Sequence, residues 1–358
     1  MKAAVVWEPG GKFELAELTR REPGPGDVVV RLKAAGICQT DLSLSAGGFG
    51  QQFPAVLGHE GAGEIVEVGS AVSSIQPGDR VLLTWVPPCG RCYHCVRGET
   101  YICSKRKRAA DIDIAAADLQ YGNLPVQAGM ATATYAEETV VSATAVLPIP
   151  KDLPYHLAAL LGCAVPTGVG AALNAARVTP GESVVVIGCG AVGLSAVQGG
   201  RISGATTIVA VDPQESRRNL ASRLGATVVL SPEEFDAYPP PSATGFDVGI
   251  DAVGQSRTIR STWNAVRRGG RVVVVGAGRA DDIVEFSAVE LFHDEKTLRG
   301  TFYGSSNMAF ELPRLIELWR GGQLRLEEMI DDVVPLERIN EAADKQISGG
   351  ALRVMIAQ

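Results

Sequence analysis

Apolar residues recur in two different textures along the chain. Up to about residue 150 they come in short runs, Val28–Leu32, Gly63–Val68, Arg80–Leu83 and Glu138–Val141, separated by glycine, proline and aspartate. Short apolar runs bounded by turn formers predict strands, so this part reads as β-rich. From Ser183 the texture changes. Val184–Ile187, Ile208–Val211, Val248–Ile250 and Val272–Val275 alternate with helical stretches, which predicts a parallel sheet with crossover helices. Beyond Tyr303 a helical segment and a short apolar tail close the chain, and no internal repeat is evident. The most apolar stretch, Leu157–Ala176, is interrupted by Pro166 and several glycines. It predicts a buried strand, turn and helix in preference to a membrane span. Pro239–Pro241 reads as a surface loop within the α/β part.

Composition narrows the class. A chain of 358 residues exceeds one ordinary core and predicts two domains. Hydrophobic and charged fractions of 46% and 20% fit a soluble globular protein, and a net charge of -7 argues against nucleic acid as the main partner. Met1–Trp7 is apolar but runs at once into Glu8, Pro9 and two glycines, leaving no room for a signal-peptide core. A cytoplasmic protein without a membrane partner is expected. The basic run Lys105–Arg108 reads as a solvated loop.

The 7 cysteines, with no secretory signal, point to metal or catalysis before disulfides. Cys89-x2-Cys92-x2-Cys95-x7-Cys103 places four thiols in a lobe (about residues 86–108) too poor in apolar side chains to fold by burial. Four thiolates fill the coordination sphere of a tetrahedral zinc, which would be structural. An iron–sulfur cluster is the chemical rival, and the tight loop favours the single ion. Further on, Val184–Ile187 runs into Gly188-Cys189-Gly190-Ala191-Val192-Gly193, and Leu194–Ile202 reads as a helix. Strand, glycine loop and helix together predict a dinucleotide site: Gly188 for the turn, Gly190 for phosphate approach, Gly193 for close packing. Asp212 follows the next strand, where a carboxylate accepts ribose hydroxyls and repels a 2′-phosphate, favouring NAD. Arg217 and Arg218 stand close enough in sequence to welcome that phosphate instead.

Cys38 lies in Gly36-Ile37-Cys38-Gln39-Thr40-Asp41, and His59 in a Gly-Glu setting in a chain with only 4 histidines. Each alone is more often structural than a ligand. Together the pattern Gly58-His59-Glu60-x2-Gly63-x5-Gly69-x2-Val72, the cysteine lobe, Gly162–Gly168 and the nucleotide fingerprint resemble, in order and over essentially the whole chain, the zinc-containing medium-chain alcohol dehydrogenases. The bacterial branch related to aryl-alcohol and class III-like dehydrogenases looks most similar. The resemblance implies an α/β protein: a β-rich GroES-like catalytic domain over 1–157, a doubly wound Rossmann NAD-binding domain over 158–303, and a return to the catalytic domain over 304–358.

It also implies roles. Cys38, His59 and Cys163 would hold a catalytic zinc with one position open, making two zinc ions per chain with the lobe. Glu60 would approach the metal during ligand exchange, Asp41 would orient His59, and Thr40 would carry the alcohol's proton away. Thr167 and Val192 would touch the nicotinamide, and Arg353 the pyrophosphate. Phe49, Trp85 and Met130 would line the substrate pocket. Two departures stand out: Ser43 occupies the place of a relay histidine, and Gln39 that of a basic residue on the pyrophosphate. The implied activity is reversible NAD-linked oxidation of a primary aryl, allylic or other bulky alcohol to an aldehyde, by a homodimer or homotetramer. Rival readings are a biosynthetic carbonyl or iminium reductase, a thiol-adduct formaldehyde dehydrogenase, and a non-enzymatic protein that binds NAD and zinc.

Overall fold

The computed structural model describes residues 1–106, 117–242 and 244–358. It divides into two compact units, one of residues 1–163 with 326–358 and one of residues 164–325. The first is β-rich. Its long strand Asp27–Gly36 pairs antiparallel with Glu60–Val68, Glu138–Ser142 and the strand Val354–Ala357, so residues far apart in sequence share one sheet. A second sheet runs through Lys2–Val6, Phe13–Glu17, Ala55–Val56 and Leu124–Ala128. Val28, Val30, Leu32, Ile65 and Val81 fill one core; Val5, Leu57, Tyr135 and Ile356 belong to the other.

The second unit holds a parallel sheet in the spatial order Val228–Leu230, Thr207–Val211, Ser183–Ile187, Phe246–Asp251, Val266–Val274, Thr297–Gly300. The chain starts in the middle, winds outward one way and then the other, as in doubly wound dinucleotide folds. The strand order reverses beside Ser183–Ile187, so its carboxyl end opens at a ligand-binding switch point. Val185, Val209, Phe246, Trp263 and Val272 form the core around it.

Two expectations are corrected. Leu157–Ala176 contains no strand: helices Tyr155–Leu160 and Ala164–Gly170 run into a π-helical turn, Ala171–Ala176. Its apolar run is alanine-rich, and alanine carries no β-branch to favour a strand. The return to the first unit falls at 326, later than the expected 304. Helix Met308–Arg320 belongs to the second unit, burying Leu312, Leu315 and Ile316 there while Asn174 donates to Glu311 at 3.0 Å. Among the described residues no helix is long and apolar enough to cross a membrane.

Candidate active site

The register of one strand pair assembles the site. Gly36 lies opposite Glu60, so the residues just beyond the end of one strand meet those just before the start of the other. That brings Cys38, at the entry to helix Gln39–Ser45, beside His59. Cys163 arrives from the loop after helix Tyr155–Leu160. One ligating atom each from Cys38, His59, Glu60 and Cys163 lies within 4.8 Å of the others. All four are buried, His59 and Glu60 completely.

Asp41 organises this cluster. Its carboxylate, itself fully buried, accepts from the backbone N–H of Cys38 (3.1 Å) and of Gly58 (3.1 Å), and lies 2.9 Å from Nδ1 of His59. With Nδ1 turned to a carboxylate, Nε2 is the nitrogen left to face the thiols, and it has no hydrogen-bond partner. A buried, unpartnered imidazole nitrogen facing two thiols fits a metal ion. The thiols agree with this. Cys38 is drawn well below the usual thiol range, first by the hydrogen bond from Cys163 acting against burial, then by His59. Cys163 is pushed well above it by that same partner and by burial. Two buried sulfurs held against each other are prepared to give up protons to a cation.

Glu60 sits against Arg353 in an ion pair of 3.2 Å, with both side chains almost fully buried. Burial pushes the Glu60 carboxyl up to about 7, Arg353 pulls it back, and Cys38 raises it again. The sequence reading placed Arg353 on the pyrophosphate. In this structure it pairs with Glu60 and donates to the Ile37 carbonyl. Thr40 is half-buried at the helix start. Ser43 donates to the Gln39 carbonyl at 3.0 Å. Of the expected pocket residues, Trp85 packs edge-on to His59 with ring centroids 5.9 Å apart, Met130 packs on the apolar core around Leu57, and Phe49 is 58% exposed. The sequence reading missed Tyr135, whose hydroxyl donates to Asp41 at 3.0 Å. A tyrosine 94 residues away, between Thr134 and Ala136, offers no local signal.

The four lobe cysteines also converge within 4.8 Å, none in a disulfide. Cys89 N–H donates to the Cys103 sulfur at 3.4 Å, and the Cys92 and Cys103 sulfurs lie 3.9 Å apart. Backbone N–H of Cys95 and the Ser104 side chain pull Cys92 down to about 5, while burial and neighbouring thiols push Cys95 up to about 12. Arg106 departs from the solvated loop expected of the basic run. Its guanidinium lies 5.2 Å over the Trp85 ring, because a planar cation gains from an aromatic face. Lys107 and Arg108, at the end of that run and of the expected lobe, lie outside the described residues.

In the second unit the glycine loop has the conformation its sequence requires. Gly188 adopts φ +91°, and a Cβ on Gly193 would stand 1.7 Å from the Gly188 carbonyl. Helix Ala191–Ile202 begins at once and points its unpaired N–H groups at the loop. Thr167 is nine-tenths buried on helix Ala164–Gly170, which packs against helix Ala191–Ile202 carrying Val192. Asp212 accepts from Cys189 N and Gln214 N, both at 2.8 Å. A carboxylate offers about four acceptor positions, so two remain for two ribose hydroxyls. Arg218 is engaged with the carbonyls of Asp212 and Pro213 at 2.8 and 2.9 Å, and half-buried Arg217 reaches toward Gly190.

Comparison with known proteins accords with this geometry. Residues 24–151 match the alcohol dehydrogenase GroES-like domain, and residues 191–318 match the zinc-binding dehydrogenase domain. Alcohol dehydrogenase 1 of Pisum sativum is 34% identical over 366 residues, covering 99% of this chain and 96% of its own length. Among solved structures, an alcohol dehydrogenase zinc-binding domain protein from Burkholderia ambifaria superposes with a TM-score of 0.94 at 33% identity, and the benzyl alcohol dehydrogenase of Acinetobacter calcoaceticus with 0.93 at 32%. Each covers 99% of this chain and 98% of its own. The fold, the two metal-type clusters and these matches agree: this chain belongs to the zinc-type medium-chain alcohol dehydrogenase family.

Proposed function

We propose that this protein is a zinc-dependent, NAD-linked dehydrogenase that reversibly oxidises a primary aryl, allylic or similarly bulky alcohol to an aldehyde. The observation that carries this reading is the convergence of Cys38, His59 and Cys163 on one buried point, in a chain that also holds a dinucleotide loop. These three residues would hold the zinc, which when bound supplies a Lewis acid that acidifies a hydroxyl. The Gly188–Gly193 loop and Asp212 would hold NAD, whose nicotinamide supplies the hydride acceptor. Asp41 would hold Nδ1 and leave Nε2 to the metal, and Trp85 packs edge-on to the same imidazole. The Thr40 hydroxyl would take the alcohol's proton and hand it to water, since the Ser43 proton is engaged with the Gln39 carbonyl.

The substrate class rests on the breadth of Trp85 beside His59 and on the likeness to a benzyl alcohol dehydrogenase. Metal analysis should give two zinc ions per chain. Benzyl and prenyl alcohols should turn over at least about tenfold better than ethanol, a difference of about 1.4 kcal/mol, and NAD should serve far better than NADP. Ethanol as the best substrate would sink the substrate class, and a single zinc would sink the catalytic site. Position 43 favours a second reading, carbonyl reduction in the same site, which rates in both directions across pH would separate.

A homodimer formed through the edge of the parallel sheet is also proposed. Among the described strands, edge strand Thr297–Gly300 pairs only with Val266–Val274. Beside it in the sequence, helix Ala288–Asp294 buries none of its residues, and Phe292 is 86% exposed. An unpaired edge and uncovered apolar side chains suit pairing with a second copy. Leu298→Lys should give monomers by sedimentation velocity at micromolar concentration. A persistent dimer would place the interface elsewhere.

A further inference from the structure

We infer that Tyr135 is a positioning residue of the metal site, holding through its hydroxyl the Asp41 carboxylate that orients His59. The inference rests on the reading of Cys38, His59 and Cys163 as metal ligands.

The two carboxylate oxygens of Asp41 face different ways. Oδ1 takes Gly58 N–H and stands against His59 Nδ1, while Oδ2 takes Cys38 N–H and the Tyr135 hydroxyl at 3.0 Å. Tyr135 therefore supplies one of two anchors on the oxygen turned away from the imidazole. Its ring is fully buried and packs edge-on to Phe13 with centroids 5.7 Å apart. Apolar packing alone would be served by phenylalanine, and a buried hydroxyl carries a desolvation cost unless it is bonded. The Gly36 carbonyl, 3.2 Å from the same hydroxyl, is a neutral alternative acceptor. The carboxylate is the stronger one.

The backbone around Tyr135 braces the same structure. Thr134 N donates to the Gly58 carbonyl and Tyr135 N to the Leu57 carbonyl, both at 3.1 Å, on the segment that delivers His59. Ala4 N donates to the Tyr135 carbonyl at 2.8 Å. Burial and the adjacent Asp41 push the phenol well above its usual range, so it remains a donor. Without the hydroxyl, Oδ2 keeps a single donor, its charge is less satisfied, and the carboxylate plane that sets the imidazole orientation is less fixed.

Tyr135→Phe changes one atom and tests this directly. Zinc-loaded enzyme would be challenged with a chromophoric chelator, and cobalt(II)-substituted enzyme would be examined by visible absorption. The variant should melt close to wild type, release the catalytic-site metal about tenfold faster, and shift the cobalt bands. Tenfold is the low end of the range seen when a group bonded directly to a metal ligand is removed. 3-Fluorotyrosine at position 135, a more acidic donor of nearly the same shape, should shift the bands in the opposite direction, and it keeps the test available should the phenylalanine variant fold poorly. Unchanged release and spectra, or a change in melting alone, would overturn the inference while leaving the metal site standing. Metal content left unchanged by Cys163→Ala combined with Glu60→Gln would overturn the site reading and this inference with it.

Discussion

Replacing Cys163 with alanine should lower kcat/KM by about 10⁴-fold or more, equivalent to about 5.5 kcal/mol of transition-state stabilisation. The size follows from what a deleted ligand removes. The proposed three-ligand site with an open position would lose a thiolate, and the Cys38 sulfur would lose the thiol that donates to it. Glu60 complicates the single variant, because its carboxylate lies among the same ligating atoms and could step in. Cys163→Ala with Glu60→Gln removes that route, and the double variant should bind only the lobe's metal. Glu60→Gln leaves the buried Arg353 guanidinium without its carboxylate, so the double variant should melt earlier, and its fold is checked by circular dichroism before metal is counted. Asp41→Asn is the graded comparison: the ligands remain and their orientation is lost, a change worth about 10- to 100-fold. Two metal ions in the double variant would place the catalytic metal elsewhere.

What the sequence disclosed and what it withheld divide along physical lines. The lobe cysteines and the glycine loop are local: thiols within one short segment, and glycines whose spacing matches a single turn, announce their chemistry without knowledge of the fold. Cys38 and His59 were legible only through the family resemblance. Their meeting depends on the register that sets Gly36 against Glu60, and no pairwise pattern in the residues reports it. The same register gives Glu60 its partner. Arg353 lies only one residue before the strand Val354–Ala357 that pairs with Asp27–Gly36, and this delivers its guanidinium to Glu60 and to the Ile37 carbonyl. Tyr135 was missed for a related reason. In the run Thr134-Tyr135-Ala136 it reads as one more core aromatic, and only the fold shows that its hydroxyl ends on Asp41. Leu157–Ala176 failed differently: apolar residues interrupted by Pro166 and several glycines show no clear period, so strand and helix cannot be told apart without knowing what surrounds them.

Loss of the lobe's metal should unfold the lobe and leave the rest of the first unit intact. Cys103→Ala is the variant of choice, because Cys103 is the most buried of the four cysteines and its sulfur also accepts the Cys89 N–H. Among its described residues, regular structure is limited to one turn of helix, Tyr93–Val96, and a 3-10 turn, Thr100–Ile102, and Tyr93 and Val96 are each 69% exposed. A structural zinc is worth about 10–16 kcal/mol in small domains that fold only around it, far beyond what those few contacts replace. Limited proteolysis should therefore cut the variant within residues 89–106 and spare the wild type, and metal analysis should show the catalytic ion alone. The effect should reach the substrate. Trp85 enters the lobe and Arg106 leaves it with its guanidinium over the Trp85 ring, so collapse withdraws one support of the indole that packs on His59. KM for benzyl alcohol should rise several-fold while kcat changes less, since the ligands themselves are untouched. A protease-resistant Cys103→Ala variant with unaltered KM would show that the lobe stands without its metal.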